Sequence, residues 1–259
     1  MHMRDRRHSS TMRCTLIGTF VCLALPAVGY ALSAAQIVEN SFDYMRGKAS
    51  ISTVEMTIHR PDWQRKMVMH AWTLGQRDSL IRIQSPAKDK GNGTLKKGSE
   101  MWTFNPKINR TLKLPPSMMS QSWMGSDFSN NDLAKSDSLI RDYTHTLKGT
   151  EVIDGHTVYR IESIPKADAP VIWGAQRLRI RDDFILIAQE FLDEDQTSVK
   201  AMTCTDIQPM SGRLFPVRWR MQKSDVDDEY TEIVYQELTF KETLPPNLFT
   251  LSALKSRRE

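Results

Sequence analysis

Apolar and polar residues alternate along most of this chain with a period near two. In Ser52–Ile58, Val54, Met56 and Ile58 share one face; in Lys66–Leu74, Val68 and Trp72 oppose Met67, Met69 and Ala71; in Ser79–Ile83, Ile81 and Ile83 oppose Leu80 and Arg82. Half-buried strands have this pattern, because successive side chains point to opposite faces of a sheet. Further strands are predicted at Met101–Phe104, Asn109–Leu114, Tyr143–Ile153, His156–Ser163, Gln176–Arg181, Phe184–Phe191, Thr197–Ile207, Leu214–Gln222 and Tyr230–Phe240. Turn chemistry separates them: Gly91-Asn92-Gly93, Asp154-Gly155 and acidic stretches such as Asp182-Asp183. Between Ala34 and Gly47 the spacing changes to that of an amphipathic helix, with Ile37, Val38, Phe42, Tyr44 and Met45 on one side and Gly47 as its stop. The pattern predicts a mainly β, α+β fold: about eleven antiparallel strands whose twist curls the sheet toward a barrel or half barrel, with one N-terminal helix. The chain closes on Leu244-Pro245-Pro246-Asn247-Leu248-Phe249, read as a short helical turn at most.

One stretch breaks the alternation. After the strand pair Met101–Phe104 and Asn109–Leu114, Pro115-Pro116 ends the ladder, since proline has no N–H to donate. Met118, Met119, Trp123, Met124 and Phe128 then follow among serines and Gly125. Loops ordinarily carry polar residues over the surface. A loop this apolar either fills the core or covers an apolar space. With a single helix predicted, the concave side of a curled sheet has little else to fill it.

The first residues read as an address. Arg4, Arg6, Arg7 and Arg13 precede the apolar run Cys14–Val28, and small residues cluster from Gly29 to Ala35. That is the three-part form of a secretory signal peptide, residues 1–33, cleaved near residues 31–35. The run is short of the ~20 apolar residues of a membrane span. The remainder, residues 34–259, is expected to be a single domain. Setting the leader aside changes the charge. Of 35 Lys+Arg and 31 Asp+Glu, the leader holds four Arg and one Asp, so the mature chain is close to neutral and has no basic stripe for nucleic acid. Cys14 and Cys22 also lie in the leader, so the mature chain keeps only Cys204 and forms no internal disulfide.

Candidate chemistry is sparse. His59, His70, His145 and His156 are scattered, without metal-ligand spacing, and no metal or cofactor is expected. Cys204 has no recognisable base beside it in sequence. Asp127 and Asp132 flank Phe128 like a carboxylate pair, but Ser126-Asp127 and Ser129-Asn130-Asn131-Asp132 read better as helix capping. Lys90-Gly91-Asn92-Gly93 lacks the context of a phosphate loop and reads as a turn. No enzyme activity is expected. Eleven methionines remain in the mature chain, and methionine suits surfaces that accept variable apolar shapes.

The run MWTFNPKINRTLKLPPSMMSQSWMGSDFSNNDL resembles the signature of the outer-membrane lipoprotein-sorting protein family, the LolA-like periplasmic proteins, and is closest to its uncharacterised branch. The stretches KDKGNGTLKKGSE, DGHTVYRIESIPK and LPPNLFTLSALK resemble it too, so the likeness spans the mature chain. It implies an incomplete, strongly curved antiparallel β-barrel closed by helices and loops, with acyl chains held in an apolar concave interior. It implies a periplasmic carrier of lipid or lipoprotein acyl chains, with an inner-membrane transporter and an outer-membrane acceptor as partners. The alternative is a non-enzymatic accessory β-domain working with an inner-membrane transporter. On the carrier reading, Pro115–Phe128 is a lid hinged at Gly125. Met118, Met119, Trp123, Met124 and Phe128 then meet ligand from above, and Trp102, Phe104, Leu112 and Leu114 form the wall beneath.

Overall fold

In the computed structural model, which describes residues 32–256, thirteen strands form one antiparallel sheet. Six make a first meander: β1 (Ala49–Arg60), β2 (Trp63–Leu74), β3 (Asp78–Ser85), β4 (Gly93–Lys97), β5 (Glu100–Asn105) and β6 (Arg110–Lys113). Seven make a second: β7 (Tyr143–Ile153), β8 (His156–Pro165), β9 (Ala175–Arg181), β10 (Leu186–Leu192), β11 (Ser198–Met210), β12 (Arg213–Lys223) and β13 (Tyr230–Lys241). The meanders join where β1 pairs with β13, Ala49 opposite Lys241 and His59 opposite Tyr230. The sheet is curved and unclosed, with β6 and β7 as its free edges. The α+β class and the half-barrel form agree with the sequence pattern; the strand count is thirteen rather than about eleven. Strand β4 is hidden in the sequence because its glycine-rich approach reads as turn and its residues Gly93–Lys96 are all buried, leaving no alternation to detect.

Helix α1 (Ala34–Arg46) starts where a capping box places it. Ser33 Oγ accepts from the Gln36 amide at 3.2 Å, and the Gln36 side chain accepts from the Ser33 amide at 2.9 Å. It ends at Gly47, with φ 64°. Ile37 and Val38 pack on Ile161, Leu178 and Ile180 of β8 and β9, which seats α1 on the inner face of the second meander. The predicted leader lies outside the described residues apart from Leu32 and Ser33.

Alternation sorts the first meander into two faces. Inward point Val54, Met56, Ile58, Met67, Met69, Ile83, Met101 and Leu114, one continuous cluster. Outward point Leu80, Leu95 and Phe104, with Trp72 and Trp102 beside them. The outer face is covered by the C-terminal segment: a 3₁₀ turn at Pro246–Leu248, then α4 (Leu251–Lys255), which bring Leu244, Phe249 and Leu254 onto it. The 3₁₀ turn falls within the predicted stretch Leu244–Phe249, and α4 follows it unpredicted. Gly93 permits the approach, because a Cβ there would sit 2.7 Å from Leu254 Cδ1.

The connection from β6 to β7 runs from one free edge of the sheet to the other. It holds two 3₁₀ turns (Pro116–Met118 and Trp123–Gly125), then α2 (Asn130–Ala134) and α3 (Ser138–Asp142). This is the apolar stretch that broke the strand alternation, and it lies against the inner face.

Candidate functional site

Between the inner face, α1 and the connecting loop lies a cavity of about 440 Å³. Val54, Met69 and Ile81 line it from the first meander, and Leu178, Phe191, Met202, Met221 and Tyr235 from the second. Helix α1 adds Val38, Phe42 and Met45; the loop adds Trp123, Phe128 and Leu133. The volume is within the roughly 300–1,000 Å³ usual for small-molecule sites, and mainly apolar walls with a few polar groups are typical of them. Polar residues also reach it, among them Ser50 and Thr73, whose hydroxyls lie 2.7 Å apart, and Thr94.

The loop is a tightly self-bonded unit. The Trp123 amide donates to Phe128 O at 2.7 Å, the Asn130 amide to Gln121 O at 2.9 Å, and the Asn131 amide to Met119 O at 2.8 Å. Trp123, 4 % exposed, donates its indole N–H to Thr94 Oγ1 at 3.0 Å. Asp127 anchors the far side. Arg60 Nη1 and Nη2 donate to its two carboxylate oxygens at 3.2 and 3.0 Å, and Thr231 Oγ1 donates to Oδ2 at 2.6 Å. Lys200 donates to Asp127 O at 3.2 Å and pairs with Asp132 Oδ2, with its ammonium over the Trp173 and Phe191 rings. Bidentate and charge-assisted bonds of this kind are the strong ones.

The structure distributes the predicted site residues unevenly. Trp123 and Phe128 line the cavity. Met118, Met119 and Met124 are partly buried and pack on the inner-face cluster beside it, with Leu114. Leu112 shares the inner face, opposite Thr103, but is exposed at the edge strand. Trp102 and Phe104 must be corrected: they point outward, Phe104 onto the C-terminal cover and Trp102 beneath the Lys113 ammonium at 5.6 Å. Side chains one residue apart on a strand cannot share a face, and it is Met101 that faces in. Gly125, φ 79°, lies between the Trp123 contact and the Asp127 anchor. Asp132 does cap α2, in a capping box with Ser129, whereas Asp127 is an ion-pair anchor and not a cap.

Several important side chains gave no sequence signal. Lys96 and Asp137, 2.9 Å apart and both buried, join β4 to the loop just before α3. Burial lowers the Lys96 pKa, and the Asp137 carboxylate works against that shift. Arg60, Lys200 and Thr231 are far from Asp127 in the chain, so no local motif marks them. Burial pushes the Cys204 thiol up to about 11, the opposite of an activated nucleophile. His156, Asp182 and Asp183 lie close enough to hold a cation, but Arg181 sits among them, 2.7 Å from both His156 Nε2 and Asp183 Oδ2.

Three crystal structures share this architecture. A DUF1329 family protein from Desulfovibrio piger superposes with TM-score 0.76 at 22 % identity, covering 86 % of this chain and 100 % of its own. A putative outer membrane lipoprotein-sorting protein domain from Vibrio parahaemolyticus gives 0.75 at 20 %, covering 86 % and 98 %. A LolA superfamily protein from Nitrosomonas europaea gives 0.71 at 22 %, covering 86 % and 100 %. No curated protein matches the chain. The family model that matches residues 75–256 describes uncharacterized proteins. By that match this chain belongs to a family of uncharacterized proteins, and its fold is that of these three structures.

Proposed function

We propose that the protein is a non-enzymatic periplasmic carrier that holds acyl chains of a lipid or lipoprotein in this cavity and passes them between membranes. The observation that carries the proposal is the apolar space of about 440 Å³ left between the inner face, α1 and the loop. Each buried CH₂ contributes about 0.8 kcal/mol, so a shielded acyl chain gains on the order of 10 kcal/mol. The likeness to a lipoprotein-sorting domain and a LolA superfamily protein supports the same reading. So does the N-terminal pattern of a secretory signal, residues 1–33, on a mature domain beginning near residue 34. An inner-membrane transporter and an outer-membrane acceptor complete the proposed route.

The lid belongs to this proposal. Rotation at Gly125 swings Met118–Trp123 away from the inner face while Asp127 stays tied to Arg60. The bonds broken are four backbone ones, those from the Asn130 side chain to Met118 O and from Ser126 Oγ to Trp123 O, and the Trp123–Thr94 bond, each worth about 1 kcal/mol net, in place of a buried ion pair. Native mass spectrometry of the protein purified from periplasm tests the reading. Bound lipid is expected in the wild type. It should be lost in the double variant Ala71→Phe/Met202→Trp, which fills the cavity from two facing walls. A wild type that carries no lipid and takes up none from vesicles ends the carrier reading.

A further inference from the structure

The cavity changes character along its length. Strand register sets out its wall on the first meander in rows. One row crosses β1 to β4 as Ser50, Thr73, Ser79 and Lys96. The next is Ser52, Ala71, Ile81 and Thr94, and the one after begins with Val54 and Met69. All of these residues line the cavity. Rows on one face lie about 7 Å apart along the strands, so the wall passes from wholly polar to apolar within two steps. In the polar row, the Ser50 and Thr73 hydroxyls bond one another at 2.7 Å.

Helix α1 ends at this row, and its last residue, Arg46, also lines the cavity. Its guanidinium donates through Nε to Gly75 O at 2.5 Å and through Nη2 to Asp78 O at 3.1 Å, in the turn that joins Thr73 to Ser79. Nη1 donates to no protein group among the described residues, and no carboxylate among them lies within ion-pair distance of Arg46. Burial works against its charge, eased from farther off by Asp137 and Asp78. Neither carboxylate is free for it. Asp137 is held by Lys96 at 2.9 Å and Arg141 at 3.4 Å. Asp78 shares the outer face with Leu80 and accepts there from the Gly98 amide at 3.3 Å. Lys96 is spent on Asp137 and on the carbonyls of Gln76 and Arg77. Tyr235, opposite Val54 on β13, lines the cavity as well, and its hydroxyl makes no hydrogen bond among the described residues; Arg46 acts on it electrostatically.

A guanidinium presents parallel N–H donors that match the two oxygens of a carboxylate or phosphate. A few polar groups in a mainly apolar site fix the orientation of what binds there. We infer that the cavity receives an amphiphile with an anionic head, a carboxylate or phosphate, held by Arg46 with Tyr235 and the Ser50–Thr73–Ser79 row, its hydrocarbon running past Val54 and Met69 toward the second meander. This rests on the carrier reading and narrows it: acidic lipids are bound in one orientation, and neutral esters are bound less tightly.

Three probes of equal chain length test this: hexadecanoate, hexadecyl phosphate and methyl hexadecanoate, each titrated at pH 8 against the full mature chain by displacement of an apolar fluorophore. The anions are expected to bind at least about tenfold more tightly than the ester, the difference of a charge-assisted hydrogen bond, and the tighter of the two names the head. Arg46→Met keeps the apolar stem and should bring the anions down to the affinity of the ester. Tyr235→Phe with Ser79→Ala should lower the anion-to-ester ratio about threefold, and decides in place of Arg46→Met if that variant does not fold. Lys135→Met, which removes the lining ammonium bonded to Pro170 O, should leave the ratio intact. A merely structural role for Arg46 would weaken all three probes together and preserve the ratio. Equal binding of anions and ester by the wild type overturns the inference and spares the carrier reading. Binding of none of the three overturns both. A ratio kept without Arg46, or lost without Lys135, overturns the assignment to this corner.

Discussion

Two ends of one concave face are finished differently. Under the loop, Met56, Ile58 and Met67 are wholly buried, and Trp123, Leu114 and Ala134 close over them. Toward α1 and the second meander, Leu178, Phe191, Met221 and Tyr235 are just as apolar, yet an open space remains among them. Alternation by itself does not explain the contrast, since both ends alternate in the same way. The cover does. The loop brings several large side chains to one end, whereas α1 contributes Val38, Phe42 and Met45 at the other. Small hydroxyl side chains on the strands, such as Ser50, Ser52 and Ser79, leave further room. An empty space in a close-packed interior forgoes contacts that stabilise other folds, which makes it a feature to be explained by use.

The sharpest way to break this comparison is to release the sealed end. Asp127→Ala leaves Arg60 without its principal partner and should cost about 3–5 kcal/mol in urea denaturation, while Asp127→Leu with Arg60→Met should recover most of the loss. If the single variant loses less than about 1 kcal/mol, the anchor does not hold the loop.

A matched pair of fillings tests the contrast directly. Ala134→Phe forces a ring into the sealed cluster, where Ala134 is 1 % exposed, and should destabilise by about 1–3 kcal/mol. Ala71→Phe points into the cavity and should leave stability within about 1 kcal/mol. Equal losses in thermal or urea unfolding would mean that the two ends are packed alike.

The smallest effect concerns pH. His145, on β7, lies with Nδ1 2.8 Å from Ser163 Oγ, and burial lowers its pKa from 6.5. The folded protein therefore keeps it neutral in a window where the unfolded chain takes up a proton. Stability is lost as pH falls from about 6.5 toward the lowered folded value. His145→Gln should flatten that part of the stability–pH curve and leave the curve above it unchanged. An unaltered acid limb would show that the edge near α3 is wetter than its geometry suggests.

How far the sequence revealed all this differs from residue to residue. The strands were legible because Val54, Met56 and Ile58 repeat at two, and α1 because Ile37, Val38, Phe42 and Met45 recur at helical spacing before Gly47. The loop's apolar side chains announced that it meets the inner face. Alternation could show that Trp102 and Phe104 share a side, but not which side; that is decided by register with β4 and by the C-terminal segment arriving on the outside. The anchors were invisible for another reason. Arg60 and Asp127, or Lys200 and Asp132, meet only after the sheet has curved, and neither pair has a spacing that a motif could record.

The seam between β1 and β13 has a consequence for the order of assembly. Elsewhere in the sheet, neighbouring strands are also neighbours in sequence, so their hairpins close short loops quickly. The seam must bring Ala49 to Lys241, almost the full length of the described chain, and belongs late on the folding route. Until it shuts, both strands present an unpaired edge to other chains, the state in which large β proteins aggregate. Met56 and Ile233 face each other across that seam and both lie in or against the inner-face cluster. The cavity therefore has no complete wall in any intermediate that lacks the seam. A lipid present during folding meets first an open trough, and becomes enclosed only as the two halves zip together.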